Sequence, residues 1–197
     1  MAGVHAHTLY LLRHGETEAN VEKRLQGQSL DTSLTPLGIR QARTVADVLR
    51  THAPRELDWI SSPLLRARTT TELIRANLGF EPLQYRTDAR LAEANFGSWD
   101  GLTLDEVRVS DPIGYEARQK DKWAVHDPGG RENYSDIWKR ADSFLGDLEN
   151  DTVAISHGVV TRVLRGIALR LSWQAISDLD EPQGVVFRIR GHFVEKL

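Results

Sequence analysis

Residues 8–15 read Thr-Leu-Tyr-Leu-Leu-Arg-His-Gly, a short apolar run that ends in two basic residues and a glycine. A short apolar run bounded by a glycine predicts a buried β-strand. Two other runs share this pattern: residues 57–61 end in Ser61 and are followed by Ser62, and residues 152–156 lead into His157-Gly158. Each of the three predicted strands is therefore followed by polar residues suited to chemistry.

Segments with helical periodicity separate these strands. Thr35-Pro36 and Ser62-Pro63 each offer an N-cap followed by proline at the first helical position, and the second helix is predicted to run to about Leu78. Apolar stripes predict further helices over residues 134–148 and 160–171. A hairpin is expected over residues 185–197, and its exposed edge is a candidate surface for a homodimer.

Alternating strands and helices predict an α/β fold, a three-layer α/β/α sandwich with a mainly parallel central sheet. In such sheets, ligands bind beyond the carboxyl ends of the strands. That edge would carry Arg13, His14, Arg66 and His157, which come from segments far apart in sequence. We therefore expect these four residues to form one site.

The composition favours a single domain over residues 1–197, because 40% hydrophobic and 27% charged residues are typical of globular proteins. Residues 94–133 lack clear periodicity and are expected to form a small cap or active-site loops. A net charge of −3 does not favour nucleic acid or anionic membranes as partners. The chain has no cysteine, which excludes thiol catalysis and thiolate metal sites. The amino-terminal segment resembles a strand more than a signal peptide, so a cytoplasmic location is expected.

The residues at the predicted edge suit phosphoryl transfer, which requires cationic donors, an in-line nucleophile and an acid for the leaving oxygen. Arg13 and Arg66 provide planar, permanently charged donors. A neutral His14 can attack phosphorus and carry the phosphoryl group, and His157 can donate to the transferring oxygens. Glu93 can protonate the departing oxygen and then activate water.

Two glycines follow the histidines directly, and Gly15 and Gly158 would let the backbone approach a bound oxyanion closely. For the proton donor, the sequence also offers Glu16, Glu18 and Asp100 as alternatives to Glu93.

Residues 11–20, Leu-Leu-Arg-His-Gly-Glu-Thr-Glu-Ala-Asn, resemble the signature of the histidine phosphatase superfamily, which includes the phosphoglycerate mutases. The resemblance extends from residue 9 to about residue 165 in the family's order. Its further blocks are Asn20-x-x-x-Arg24-x-Gln26-Gly27, Leu34-Thr35-Pro36-Leu37-Gly38 with Gln41-Ala42, Ser61-Ser62-Pro63-Leu64-Leu65-Arg66-Ala67, Leu91-x-Glu93-x-x-Phe96-Gly97-x-Trp99-x-Gly101, and Ser156-His157-Gly158.

The resemblance implies a phosphoglycerate mutase-like fold and catalysis without a metal or other cofactor. It implies that His14 is the phosphoacceptor and Glu93 the proton donor. The residues it implies for the phosphate pocket are Arg13, Asn20, Arg66 and His157, with Gln26 and Gly27 near the phosphate or the substrate entrance. The sequence departs from the family pattern at residues 129–133, Gly-Gly-Arg-Glu-Asn, where relatives commonly have Gly-Glu-Ser and where Arg131 interrupts the pattern.

We interpret the chain as a phosphatase that hydrolyses a small phosphomonoester in two half-reactions. One alternative is a phosphoglycerate mutase that needs a 2,3-bisphosphoglycerate primer, although dedicated mutases usually have more sequence between the glutamate block and the second histidine. A non-catalytic phosphate-binding module is a second alternative, disfavoured because nucleophile, acid and both arginines are present.

The substrate entrance is expected to involve Arg24 and the variable residues 102–133. This segment contains basic and aromatic residues that would suit an acidic or sugar-like leaving group, or would instead form a solvated helical face: Arg108, Tyr115, Arg118, Lys120, Lys122, Trp123 and Arg131. Phosphoglycerates, sugar phosphates, nucleotides and a ribazole phosphate all fit this pattern.

Overall fold

The computed structural model describes residues 7–126 and 132–197. Within these residues, six strands form one sheet in the order β3-β2-β4-β1-β5-β6. The strands are β1 (Thr8–Arg13), β2 (Asp58–Ser61), β3 (Arg86–Thr87), β4 (Thr152–Ser156), β5 (Phe187–Arg190) and β6 (Phe193–Lys196). Strands β1 to β4 pair in parallel, whereas β5 and β6 form an antiparallel hairpin at one side.

The register of the parallel strands aligns their carboxyl ends. Arg13 of β1 lies opposite Ser156 of β4, and Ser61 of β2 lies opposite Ile155 of the same strand. The main chain continues this alignment by one residue, since the His14 N–H donates to the Ser156 carbonyl at 2.9 Å. The residues that follow all three strands therefore emerge at one edge, as the sequence predicts.

Helices cover both faces of the sheet. The longer helices are α2 (Pro36–His52), α3 (Leu65–Leu78), α6 (Tyr134–Gly146) and α7 (Gly158–Ala168). Because successive strand residues face opposite sides, Tyr10 and Leu12 pack with α2 and α3, whereas Leu9 and Leu11 pack with α6 and α7. The predicted three-layer α/β/α sandwich is confirmed.

Of the helix starts predicted from local sequence signals, that of α2 is correct, whereas those of α3 and α7 are displaced. Thr35 caps α2, accepting a hydrogen bond from the Gly38 N–H at 3.0 Å, with Pro36 in the first turn, as predicted. The start of α3 was predicted about two residues too early, because its N-cap is Leu64, whose own side chain makes no capping hydrogen bond. The carboxylate of Asp31 caps the helix from outside, accepting from the N–H groups of Leu65 and Arg66 at 2.6 and 3.3 Å. The Ser62 hydroxyl instead contacts the ring of His157 at 2.7 Å. Helix α7 likewise begins at Gly158, two residues before the predicted start.

The segment predicted as a cap, residues 94–133, contains regular secondary structure in its described part. It includes a 3₁₀ turn (Gly97–Trp99) and the helices α4 (Leu104–Ser110) and α5 (Pro112–Lys120). Trp99, Val107 and Trp123 are buried in the core that also contains α6 and α7. The cap is therefore anchored to the sandwich by large apolar side chains.

The remaining elements are short: α1 (Glu18–Val21), α8 (Trp173–Ser177) and a 3₁₀ turn (Ala89–Leu91). No helix among the described residues is long and apolar enough to span a membrane. Arg131, where the sequence departs from the family pattern, lies outside the described residues.

Candidate active site

A cavity of about 470 Å³ opens at the carboxyl edge of the sheet. Six predicted site residues line it: Arg13, His14, Asn20, Arg24, Gln26 and Glu93. Arg66 and His157 are buried behind this lining, with 1% and 0% of their surfaces exposed. The rings of His14 and His157 lie 5.1 Å apart, centroid to centroid. The two predicted histidines are thus neighbours.

His14 is held in one tautomer by the main chain. Its Nδ1 lies 2.8 Å from the Gly15 carbonyl oxygen. Because a carbonyl only accepts, Nδ1 carries the proton and the lone pair of the neutral ring is on Nε2. Burial lowers the pKa of His14 well below its ordinary value of 6.5, and Arg13 and Arg66 lower it further. His14 is therefore a neutral imidazole with an available nucleophilic nitrogen.

His157 directly follows β4 and is the N-cap residue of α7. Its Nε2 contacts the Ser62 hydroxyl, whereas its buried Nδ1 has no hydrogen-bond partner among the described residues. Burial lowers the pKa of His157 well below 6.5, and the positive charges of Arg66 and Arg13 lower it further. The ring is thus fixed at one nitrogen and can interact with a ligand through the other.

Glu93 is the buried carboxyl group of the cavity. Its Oε1 accepts from the Ala94 N–H at 2.9 Å, and Oε2 accepts from the Val159 N–H at 3.3 Å, in the first turn of α7. Burial raises the pKa of Glu93, and the negative charge of Glu181 raises it further. Such a group retains its proton to higher pH than a solvated glutamate, as a general acid requires.

The alternative acids are engaged elsewhere or exposed. Asp100 accepts from the N–H groups of Gly27 and Ser29 at 2.9 and 3.0 Å, and thereby fixes the loop before the cavity. Glu16 lines the cavity, but its Oε1 accepts from the Thr35 hydroxyl at 2.8 Å. Glu18 is exposed. Glu93 is therefore the best-placed proton donor.

Arg66 organises the wall of the site. Its Nη2 donates to the carbonyls of Gln26 and Gly27 at 2.9 and 2.8 Å, and its Nη1 contacts Asp31 at 3.2 Å. The buried Nε has no hydrogen-bond partner among the described residues. Most of this guanidinium thus stabilises the loop over residues 26–31, and Nε is the donor left for an anion. Gly27 contributes here through its carbonyl and does not line the cavity.

Asn20 and Gln26 are oriented by neighbours. Asn20 Oδ1 accepts from the Thr17 N–H and from Gln183 Nε2, at 3.2 and 2.9 Å, so its amide N–H₂ group remains the donor for a ligand. Gln26 is engaged by the hydroxyls of Thr17 and Thr32, at 2.8 and 3.1 Å. Gln26 is therefore mainly a structural part of the wall.

Arg24 lies at the rim. Its guanidinium pairs with Glu22 and Glu106 at 2.7 and 3.0 Å, which largely neutralises it. Of the basic residues expected at the entrance, Arg118 also lines the cavity. Trp123 does not, since it is buried and stacked on Trp173.

The segment that departs from the family pattern has a structural role in its described part. Glu132 forms an ion pair with Arg140 at 2.9 Å, and Asn133 caps α6 through a reciprocal pair of hydrogen bonds with Asp136.

Several cavity residues were missed by the sequence interpretation. Glu181 and Gln183 come from the loop between α8 and β5, which carries no recognisable motif. Lys23, Phe96, Tyr134 and Val159 also line the cavity. Gln183 donates to the His14 carbonyl at 3.1 Å, but this contact joins residues 169 positions apart, so no local sequence pattern predicts it.

Comparisons with a family model and with individual proteins place the chain in the same family. Residues 9–192 match the family model described as histidine phosphatase superfamily (branch 1). The chain is 33% identical over 191 residues to a glucosyl-3-phosphoglycerate phosphatase of Mycobacterium tuberculosis, covering 88% of this chain and 82% of that protein. A protein of the same name from Mycolicibacterium vanbaalenii is 32% identical over 197 residues, covering 93% of this chain and 84% of the relative.

Solved structures agree with the fold. A putative alpha-ribazole-5'-P phosphatase from Escherichia coli superposes with a TM-score of 0.82 at 26% identity, covering 98% of this chain and 95% of that one. A mycobacterial glucosyl-3-phosphoglycerate phosphatase in complex with VO3 superposes with a TM-score of 0.78 at 28% identity, covering 98% and 97%.

Proposed function

Because this chain belongs to the histidine phosphatase superfamily, we propose that it hydrolyses small phosphomonoesters through a phosphohistidine formed on His14, with Glu93 as proton donor. It is a phosphatase of the histidine type, like the relatives it matches. One observation carries the assignment of roles. His14, fixed as the Nδ1–H tautomer, lines the same cavity as a buried Glu93 whose pKa is raised.

The first half-reaction transfers the phosphoryl group to the enzyme. His14 Nε2 attacks phosphorus in line with the ester oxygen, so that a P–N bond forms as the P–O bond breaks. Protonated Glu93 gives its proton to the departing oxygen. Donors around the phosphoryl oxygens are Arg13, Asn20, Arg66 Nε and His157 Nδ1, whose positive or polar N–H groups stabilise the transferring charge.

The second half-reaction restores the enzyme. The Glu93 carboxylate, now deprotonated, accepts a proton from water as the water oxygen attacks phosphorus. The P–N bond breaks, the lone pair returns to His14 Nε2, and inorganic phosphate leaves. Glu93 ends the cycle protonated and His14 neutral, as both began.

The substrate class follows from the cavity and the relatives. A volume of about 470 Å³ suits a metabolite rather than a phosphoprotein loop. The mycobacterial relatives are named as phosphatases of glucosyl-3-phosphoglycerate, and the Escherichia coli structure is described as a putative alpha-ribazole-5'-P phosphatase; both named substrates are small phosphate esters. Such charged esters do not cross bilayers unaided, which supports the cytoplasmic location we propose. Homodimer formation through the β6 edge stays a prediction.

The test is inorganic phosphate release from a panel of phosphomonoesters, in the presence of a chelator, by wild type and by His14→Ala. The panel contains an aryl phosphate, 3-phosphoglycerate, sugar phosphates and nucleoside monophosphates. Loss of the nucleophile should reduce kcat/KM at least about a thousandfold. His52→Ala, at an exposed position of α2, is the matched control and should leave the rate unchanged.

Wild-type turnover by His14→Ala would contradict the mechanism. Interconversion of phosphoglycerates with a bisphosphoglycerate primer, faster than phosphate release, would contradict hydrolysis as the main activity.

A further inference from the structure

Glu181 places a carboxylate inside the proposed phosphate site, where the mechanism requires none. It belongs to the loop between α8 and β5 and lines the same cavity as His14 and Glu93. Its Oε1 forms an ion pair with Arg162 Nη2, and its Oε2 lies 3.8 Å from Arg13 Nη1. The side chain is 25% exposed, so the pair faces the cavity and is not sealed in the core.

The carboxylate also lies against the N-terminus of α7. A Cβ built on Gly158, the first residue of this helix, would lie 2.3 Å from Glu181 Oε2. The N-terminus of an eleven-residue helix carries partial positive charge and attracts anions. Arg13, Arg162 and this helix end together form a cationic region beside the cavity, and Glu181 places a negative charge within it.

The main chain and the side chain of Glu181 have different roles, as their distances from Arg13 show. Arg13 Nη1 donates to the main-chain carbonyl of Glu181 at 2.7 Å, whereas the carboxylate of the same residue is 3.8 Å away. The close bond that positions Arg13 is therefore made by the main chain and survives a change of side chain. The side chain adds a negative charge. That charge acts on the cavity, since it raises the pKa of Glu93.

Beside the Glu181 carboxylate, two arginine nitrogens remain as donors for a bound phosphate. Arg13 Nε and Arg162 Nε are buried and have no hydrogen-bond partner among the described residues. A phosphate bound there would share its cationic partners with Glu181 and be repelled by it.

We propose that Glu181 limits the affinity of the site for phosphate, competing with the phosphoryl oxygens for Arg13 and for the N-terminus of α7 and so promoting release of the product. This inference rests on the proposed function, since the competing anion is the phosphate that hydrolysis yields. Arg162 keeps the carboxylate over the helix end.

The experiment compares wild type with Glu181→Gln, which removes the charge and keeps the shape. The readouts are the Ki of inorganic phosphate against hydrolysis of an aryl phosphate and the Kd of inorganic phosphate from calorimetry without substrate. Removing a unit charge this close to a dianion should lower both constants about tenfold or more. Glu181→Ala should act in the same direction, and Glu181→Asp, which keeps the charge, should stay nearer to wild type.

Asp180→Asn is the matched control, since Asp180 is the neighbouring carboxylate, pairs with Arg165 at 2.8 Å and is 63% exposed. It should leave both constants unchanged. If Glu181→Gln binds phosphate as weakly as wild type, or more weakly, Glu181 only supports the fold around Arg13 and the inference is wrong. If wild type neither hydrolyses esters nor binds phosphate, the proposed function itself fails.

Discussion

His14 and Glu93 are both buried, and burial moves their pKa values in opposite directions. Loss of hydration disfavours the charged form of each group, so the pKa of the imidazole falls and that of the carboxyl group rises. Each shift favours the protonation state that the first half-reaction needs. The two arginines next to them strengthen the effect on His14 and weaken it on Glu93.

Glu93→Gln should distinguish leaving groups. An alkoxide needs a proton as it departs, whereas a nitrophenolate does not, so kcat/KM should fall about 10²- to 10⁴-fold for an alkyl phosphate and much less for p-nitrophenyl phosphate. This constant reports phosphoryl transfer to His14 and excludes the later hydrolysis. Glu16→Gln is the control, since Glu16 is a carboxylate of the first motif that also lines the cavity. Equal losses for both esters would assign the proton to another group.

The sequence predicted which motif residues meet at the cavity but not their surroundings. Arg13, His14 and Asn20 are near one another in sequence, and Glu93 and His157 each lie within a motif, so residue type and spacing were enough to predict that they come together. Glu181 reaches the cavity only because the loop after α8 returns to the carboxyl edge of the sheet. Such a contact depends on the tertiary fold and leaves no local pattern.

At the scale of secondary structure, the loop that carries the nucleophile is built against the start of α2. The Thr35 N–H donates to the Glu16 carbonyl at 2.9 Å, and the Gly15 N–H donates to Thr70 of α3 at 3.0 Å. Two backbones meet here without side chains between them: a Cβ on Gly38 would lie 2.2 Å from the Glu16 carbonyl oxygen. The glycine of α2 therefore sets the position of the loop over residues 14–17.

Gly38→Ala should push this loop away from α2. Overpacking against rigid backbone should destabilise the fold by about 1–3 kcal/mol and should also lower kcat, because His14 shifts with its loop. Gly146→Ala in α6 is the control, since a Cβ there meets nothing within 4 Å, and it should be neutral or stabilising by up to about 1 kcal/mol. Chemical denaturation and steady-state kinetics measure both effects. An active, fully stable Gly38→Ala would show that the loop is not held by this contact.

The elements themselves were predictable where local and tertiary preferences agree. Strands β1 and β4 each contain a continuous apolar run, β2 contains the buried apolar pair Trp59-Ile60, and α2 has a cap, a proline and an apolar face. Strand β3 has two exposed residues, and no hydrophobic pattern marks it. The predicted start of α3 was too early because the hydroxyl of Ser62, a good cap by type, lies 2.7 Å from His157 Nε2, and Asp31 from a distant loop accepts from the Leu65 N–H. Tertiary contacts overrode the local signal at the functional edge.

On the scale of the whole molecule, the fold buries two histidines that the unfolded chain would expose to water. His14 and His157 are 2% and 0% exposed, and both have a pKa well below 6.5. Below about pH 6.5 the unfolded chain binds protons on these rings that the folded chain excludes. Protonation therefore favours unfolding, and stability that is complete above this pH is lost as the pH falls. Glu93 acts in the opposite direction, because its raised pKa lets the folded chain bind a proton more readily.

The free energy of unfolding should accordingly decrease between pH 7.5 and pH 5. Each histidine contributes up to about 1.4 kcal/mol per pH unit below 6.5, and Glu93 offsets part of the sum. His157→Asn removes one of the two excluded protons, so its stability, although lower at neutral pH, should depend less steeply on pH. His52→Asn changes an exposed histidine and should keep the wild-type slope. Urea denaturation at several pH values measures the slopes, and equal slopes for wild type and His157→Asn would mean that the buried ring accepts its proton without opening the fold.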